Sequence, residues 1–594
     1  MLYPAELRAR AAVFAALRGV IDAYSGGVKR AIWLLAGPSA TVRRMPSTSV
    51  PPPAIDALPR QAVRDPDYWL LVVAFLLLFV CGIQLLIFPF GRTQAAHALL
   101  GRAIVAGYMP VRDAWVADAP GIGLLHAAIQ LTLGRSMMAF RAVETIAVVG
   151  TVLAATRITK RWVGLERAGL LGGTVFVLTY VQLEIDQTGR PEFFAGVLLL
   201  HALALCSRDP SPRSSKLTAN LLGLFLGLTV LLVPSLWVTL FPFSWWLLRR
   251  GKSVSQRVIA PWVLGSCIVS GFVVPLVGLA IWIMARRIGP AFLYDWFLPT
   301  ARLGLSASVI EWASLFYKLT VDAVLRQSAL LSAGLLATFT LGTIHEHERS
   351  GRRLLLSIAA FVMIGLVAQR DDAPGALAAV LPITSTIAGI GIYKAWRRML
   401  TLGAAGTVAF SITAILLFQM CSPVNYPPGR FLRRSKVRLL YLANLAPYRS
   451  REMLESELYN SKDYSLTASR SLAATLRERS LSNRDVWFDG DDPQLAWLLD
   501  NVPKGRFLRP IPPAFARVAP RLKLSAELGL SRTEPEVLVV AEQAPDSGKS
   551  TDVPSRAPAE YALLETQETW RIYQRIHAVK KPAEDPEFCD PNVN

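Results

Sequence analysis

The 594-residue chain is poor in cysteine and in acid. It has five cysteines, and no two of them form a Cys-x-x-Cys pair. Cys81, Cys206 and Cys267 sit in or at the ends of apolar runs, where the thiol reads as a small hydrophobe. No zinc framework follows from that pattern, and no metal ligand set is expected. The chain shows no P-loop, no Rossmann fingerprint and no Gly-x-Ser-x-Gly elbow. The "HEHE" tract at 345–348 lacks the i, i+4 histidine spacing of a zinc helix and reads as a solvated loop. Only 18% of residues are charged, with 43 Asp and Glu against 63 Lys and Arg. A soluble chain of this length carries more charge. The +20 excess could suggest nucleic acid, but its distribution argues against that partner. Residues 430–594 hold 25 Lys and Arg against 23 Asp and Glu, so about 18 excess positive charges lie before residue 430, mostly in short loops beside apolar runs. That pattern is one of membrane topology and anionic headgroups.

What the chain has in quantity is hydrocarbon: 53% hydrophobic residues and a mean hydropathy of +0.38. Its apolar runs approach the length that crosses ~30 Å of bilayer. The fold class expected is a polytopic α-helical membrane protein with about 11 transmembrane helices and a C-terminal α/β domain outside the membrane. The first clear span is "WLLVVAFLLLFVCGIQLLIFPF" at 69–90. Others fall near 137–157, 167–184, 192–206, 217–232, 234–248, 258–284, 325–344, 354–369, 375–393 and 400–419. Residues 1–68 form a cytoplasmic segment, with a helical, Arg-bearing stretch suited to a membrane surface, then the linker "MPSTSVPPPAIDALP". No signal peptide is evident. Residues 69–420 form the transmembrane domain, with a long outer loop at 91–136.

Alternate connections read "TKRWVGLER", "SRDPSPRSSK", "RRGKSVSQR", "HEHERSGRR" and "KAWRR". Their Lys and Arg mark them as cytoplasmic, which places the N-terminus inside and residues 421–594 outside the cytoplasmic (inner) membrane. In that last region "KVRLLYLANL", "RDVWF" and "PEVLVVAE" read as strands, and "SREMLESELY" and "PQLAWLLDNV" as helices. "DGDDP" at 489–493 reads as an Asx turn capping the following helix, because the other ligands of a calcium loop are missing. Cys421 and Cys589 both lie on the oxidising side, yet nothing in the sequence brings them together.

Arginine on the outer side runs against the topological grain. The loop "GYMPVRDAWVADAP" carries Arg112, Asp113 and Asp118; "DQTGRPEFF" carries Asp186, Arg190 and Glu192; "IMARRIGP" carries Arg286 and Arg287; "QRDDAPG" carries Arg370. A lone Arg at a span end is a headgroup anchor. Several, from separate loops, suit a phosphate held at the interface, because the guanidinium grips phosphate oxygens bidentately. A carboxylate among them stays ionised and can take a proton from an alcohol. Arg141 and Glu144, three apart, read as an ion pair on one helix face.

"GRTQAAHALLGRAIVAGYMPVRDAWVADAPG", then "FRAVETI", then "QTGRPEFFAGVLLLHALAL" resembles the first outer loop and following spans of GT-C membrane glycosyltransferases, and "VWFDGDDPQLAWLLDNVPKGRF" and "ETWRIYQR" resemble the outer domain of bacterial members. These include dolichyl-phosphate-mannose–protein mannosyltransferases and aminoarabinose transferases. The resemblance implies transfer of a sugar from a polyprenyl-phosphate donor to an acceptor hydroxyl with inversion, a carboxylate acting as base and basic residues holding the departing phosphate. It implies membrane lipids, a polyprenyl-phosphate sugar and a glycan, lipid or protein acceptor as partners, and no cofactor beyond the lipid-linked donor. The acid most often assigned as catalytic falls on Thr93, a second acid on Val116, and a usual Lys on Asp118. The base is then Asp113 or Asp118, with Arg112, Arg190, Glu192, Arg286, Arg287 and Arg370 as substrate-binding candidates. The other reading is a degenerate relative that binds a lipid-linked sugar or partners an active enzyme. A transporter fits less well, since transporters place their polar groups at the midplane.

Overall fold

The computed structural model describes residues 66–575, apart from 208–211, 254–260, 306–307, 326–327, 342–345, 371–373, 421–429, 462–463, 480, 482–485, 490–491, 501–506, 510, 512, 522–534, 542–560 and 568–569. The N-terminal surface helix, its linker and the Cys421–Cys589 question lie outside the described residues.

Helices follow the apolar runs. In chain order they are α1 (Pro66–Gln84), α2 (Arg92–Val105), α3 (Pro120–Leu133), α4 (Met137–Trp162), α5 (Glu166–Gln182), the short α6 (Glu184–Gln187), α7 (Pro191–Cys206), α8 (Pro212–Leu232), α9 (Leu240–Ser253) and α10 (Pro261–Ala285). Three short helices follow, α11 (Gly289–Phe292), α12 (Leu298–Leu305) and α13 (Val309–Tyr317), and then α14 (Ala329–Thr340), α15 (Glu346–Gln369), α16 (Leu381–Leu400) and α17 (Gly403–Gln419). Every expected span is helical over most of its length. Among the described residues four stretches are long and apolar enough to cross a membrane: Asp67–Ile87, Met137–Trp162, Trp262–Ala285 and Arg349–Gln369. Five shorter apolar helices have 10–17 residues. At ~1.5 Å per residue these fall short of ~30 Å, so by length and composition four of the eleven expected spans stand out among the described residues. Two of the expected spans begin as 3-10 turns, Pro234–Thr239 and Pro374–Ala379, which use up residues the helix would have needed.

The segment 91–136, expected as an outer loop, is not irregular chain. It is mostly the helical hairpin α2–α3, closed so tightly that a side chain at Gly101 would strike His126 and one at Gly123 would strike Leu100. Residues at α2 positions 94–103 are all buried.

The basic connections meet at one end of the bundle. Asp67, at the start of α1, is bonded by Arg167 and Arg397 and by Trp396 Nε1 at 2.8 Å. Trp162 packs on Gly351 and lies 5.9 Å from the Trp246 ring. Three of the five Lys/Arg-rich connections thus share an end, and α9 brings Trp246 there; the other two connections fall largely outside the described residues.

Beyond residue 430 lie α18 (Arg430–Leu442), α19 (Arg451–Leu458), α20 (Leu466–Glu478), α21 (Pro493–Leu498) and α22 (Pro513–Val518), with strands β1 (Asn460–Ser461), β2 (Tyr464–Ser465), β3 (Val486–Asp489), β4 (Val537–Ala541), β5 (Tyr561–Gln567) and β6 (Trp570–Arg575). The four-stranded sheet runs β3-β4-β6-β5, with β3 parallel to β4 and the other pairs antiparallel. Leu472, Leu476, Val486, Leu495, Val537, Val539 and Ile572 form its own small core. "KVRLLYLANL", expected as a strand, belongs mainly to helix α18. The reason is the four-residue spacing of Arg434 and Arg438, which puts both on one helix face, and both bond Glu184 on α6. Asp492 caps α21 through Gln494 N–H at 3.1 Å, as the Asx-turn reading expects.

Candidate functional site

The turn that opens the first loop is held by its own residues. Val111 sits at φ 71°, a conformation costly for a β-branched residue. Asp113 secures it. Its Oδ2 accepts the Met109 N–H at 2.8 Å, and Arg112 donates to Oδ1 at 2.8 Å and to Oδ2 at 3.0 Å. Two residues on, fully buried Trp115 packs against Phe507 and Phe515 and donates Nε1–H to the Asp295 carbonyl at 3.1 Å. Trp296 Nε1–H donates to the Asp118 carbonyl at 3.2 Å. These contacts form a satellite core of Val111, Trp115, Ala119, Trp296, Leu303 and Phe515, from which the Asp118 side chain emerges.

Beneath it lies a buried polar scaffold built from the segments that carry the family resemblance. Arg141 bonds Glu144 at 2.5 Å, Gln94 at 2.6 Å and the Phe88 and Pro89 carbonyls. Gln94 also bonds Thr188, and the Tyr180 hydroxyl bonds Glu144 and accepts the Gly189 N–H. The Arg141–Glu144 pair read from the sequence is present, wholly buried. This scaffold fixes the 188–190 turn, where Gly189 adopts φ 66° and a Cβ would strike Gln94 and Phe140. The turn delivers Arg190 as the N-cap of α7. Glu192, fully buried, lies 3.3 Å from Arg190 and accepts from Gln369 at 3.2 Å, while Arg190 also donates to Gln187. Glu192 therefore holds Arg190 in place from below.

Around Asp118 the separate segments converge. Its Oδ2 lies 2.9 Å from His97 Nε2, and its side chain is 20% exposed. Burial pushes its pKa up, but His97, by charge and hydrogen bond, and then Arg190 and Arg509 outweigh burial and hold the carboxyl well below the usual range. Arg509 reaches in from the C-terminal region and donates to Thr93 Oγ1 at 2.9 Å. Asp186 stands at the start of α2, its Oδ1 where a Gly91 side chain would go. Its side chain is exposed, although the protein around it partly desolvates the carboxyl. Burial raises its pKa, Arg92 pulls it back by charge and backbone N–H, Glu184 raises it and Arg509 lowers it; the net direction is up. The site thus pairs a carboxylate held ionised with one that takes a proton more readily, both within the field of Arg509.

Of the residues singled out from sequence, Asp118, Arg190 and Glu192 come together. Arg112 and Asp113 pair with each other in the turn. Arg286 and Arg287 are exposed at the end of α10. Arg370 pairs with Glu311 at 3.0 Å. The charges acting most strongly on Asp118 are those of His97, Arg190 and Arg509. His97 and Arg509 escaped the sequence reading. His97 had a signal, four residues after Thr93 on the same helix face; Arg509, in "RFLRP", had none. Among the described residues no cluster of three or more metal-ligating side chains occurs.

No family model and no curated protein matches the chain. Solved structures do. The chain is similar to ArnT from Cupriavidus metallidurans bound to undecaprenyl phosphate, at 13% identity and a TM-score of 0.49 over 86% of this chain and 99% of that one. It is similar to the same protein in the apo state at 13% identity and a TM-score of 0.48, over 85% and 97%.

Proposed function

We propose that this protein is an integral-membrane glycosyltransferase that moves a sugar from a polyprenyl-phosphate donor to an acceptor hydroxyl, with inversion, on the outer face of the cytoplasmic membrane. The observation that carries this reading is the convergence of two carboxylates of opposite pKa tendency with guanidinium groups at the end of the bundle away from the basic loops. Environments that push two titratable groups apart divide acid–base roles between them. Asp186 takes the acceptor proton as its oxygen attacks the anomeric carbon. Asp118 stays ionised and holds the cations in register, oriented by His97. Arg190, braced by Glu192, faces the phosphate as the glycosidic C–O bond breaks and the phosphate leaves with the electron pair. Asp113 secures the turn that places Asp118.

The test is transfer by the purified full-length protein in lipid nanodiscs, given polyprenyl-phosphate sugars and candidate acceptors. Release of polyprenyl phosphate that depends on acceptor supports the reading; its absence across the common sugars, with the protein folded, sinks it. One observation favours the second reading, a degenerate binder. Thr93, a hydroxyl, stands where the resemblance puts an acid. That protein would bind the lipid donor and transfer nothing.

A further inference from the structure

Helix α18 lies along the end of the bundle away from the basic connections. Its Phe431 ring meets Phe418, in the last turn of α17, at 5.9 Å. Two turns on, the Arg438 guanidinium lies 4.5 Å over the ring of Phe88, just past the end of α1. Between them Arg434 bonds Glu184 at 2.9 and 3.0 Å. α1 belongs to a stretch that can cross a membrane, and Ile412, Ile415 and Leu416 of α17 are exposed hydrocarbon. Anchored on the ends of these two helices, α18 sits at the level where the apolar surface stops.

The charges of this helix fall into two sets. Arg434 and Arg438 face inward onto Glu184, and Arg433 pairs with Glu457 at 2.6 Å. Arg430 and Lys436, and Arg449 beyond the helix, are exposed and form no ion pair among the described residues. Hydrocarbon lies beside them. Leu432, Lys436 and Leu439 follow an i, i+4, i+7 spacing and so share one face, on which Leu432 is 43% exposed. Leu445, in the turn that ends α18, and Met453 on α19 are exposed as well. Past residue 430 the only other exposed large apolar side chains among the described residues are Leu563 and Leu564. Exposed hydrocarbon in the C-terminal region thus gathers, among cations, where that region meets the bundle. A lipid interface satisfies both kinds of group: leucines enter the acyl boundary while Lys and Arg reach the headgroup phosphates.

We propose that the outward face of α18 and the turn after it lie in the headgroup layer of the membrane and select anionic phospholipid through Arg430, Lys436 and Arg449. The occupant is a lipid leaflet rather than a protein because this face adjoins the apolar ends of α1 and α17 and α18 carries no acid. The proposal rests on the membrane-spanning helices and not on the reaction above. Through Glu184 the anchored helix also steadies α6, which carries Asp186.

The experiment uses the full-length chain with Cys267, Cys421 and Cys589 changed to Ala; Cys81 and Cys206 are buried and are kept. Leu432→Cys, labelled with bimane, is placed in nanodiscs of phosphatidylcholine with a minor share of phosphatidylglycerol. Bromine on the acyl chains of one lipid or the other quenches the label on contact. A cation at an anionic surface is worth about five-fold, so brominated phosphatidylglycerol should quench about five-fold more strongly per molecule, and high salt should remove the difference. Lys436→Glu should abolish that preference and leave quenching by brominated phosphatidylcholine and the melting temperature unchanged, whereas Lys436→Arg keeps it. Should Lys436→Glu fail to fold, Arg449→Glu, outside the helix, tests the same charge. If neither lipid quenches the label, α18 stands off the membrane and the proposal falls. If the label is shielded from lipid yet emits at short wavelength, a protein covers the face, a second copy of the chain included, and the proposal falls too. If both lipids quench equally, the contact is apolar alone and the selection of anionic lipid is overturned.

Discussion

Replacing each site carboxylate by its amide should separate the two acids by the sign of their effect on stability. Asp186→Asn removes a group whose ionised form is disfavoured in the fold, because burial outweighs the help of Arg92. The neutral isostere relieves that cost, so the melting temperature should hold or rise. Activity should fall by about 10²- to 10⁴-fold, the usual loss of a general base. Asp118→Asn does the opposite to stability. The carboxylate that His97 meets at 2.9 Å becomes an amide, which still accepts a hydrogen bond but removes a negative charge that acts on His97, Arg190 and Arg509. Losing a charged hydrogen-bond partner at a mostly buried site costs about 1–3 kcal/mol, read as a lower melting temperature in the same nanodiscs. The pH–rate profile checks the assignment. A base works deprotonated, so the wild-type rate should rise with pH through the raised pKa of Asp186, and the residual rate of Asp186→Asn should lose that limb. The reasoning is refuted if Asp186→Asn transfers sugar at the wild-type rate, or if its acid limb persists while Asp118→Asn abolishes it.

Glu184→Gln should cost about 3–5 kcal/mol, the usual loss on breaking a buried pair, because Arg434 and Arg438 both bond it. Burial raises the Glu184 pKa, but Arg438 and Arg434 outweigh burial and leave it below the ordinary value. Its stabilisation is therefore full above the unfolded-state pKa of 4.5 and is lost as pH falls through the lower folded value, which acid unfolding of wild type and variant will show. Asp113→Asn weakens the turn at Val111 by about 1 kcal/mol; a loss of transfer as large as that of Asp186→Asn would return the base to Asp113. An impermeant thiol reagent should modify a cysteine placed at Asp500 from outside intact cells and one placed at Arg398 only after lysis. The reverse pattern would invert the topology.

The sequence by itself determined the helices, because apolar composition and length act locally and every run found became one. It determined which connections share an end, since Lys and Arg mark them, and Asp67, Trp162 and Trp396 join them there. It gave the Arg141–Glu144 pair and the Asp492 cap, both set by spacing within a single turn. Only the tertiary structure decided the rest. The loop 91–136 became a buried hairpin because Gly101 and Gly123 let two helices touch, and closeness between helices leaves no periodic trace. "KVRLLYLANL" became mainly helix because one distant acid, Glu184, rewards a four-residue Arg spacing that reads equally as a strand. Asp113 and Asp118 look alike in "VRDAWVADAP", yet one ties its own turn and the other meets His97 and Arg509. That difference arises from residues up to hundreds of positions away, brought together by packing on Trp115, and charge acts through space rather than along the chain.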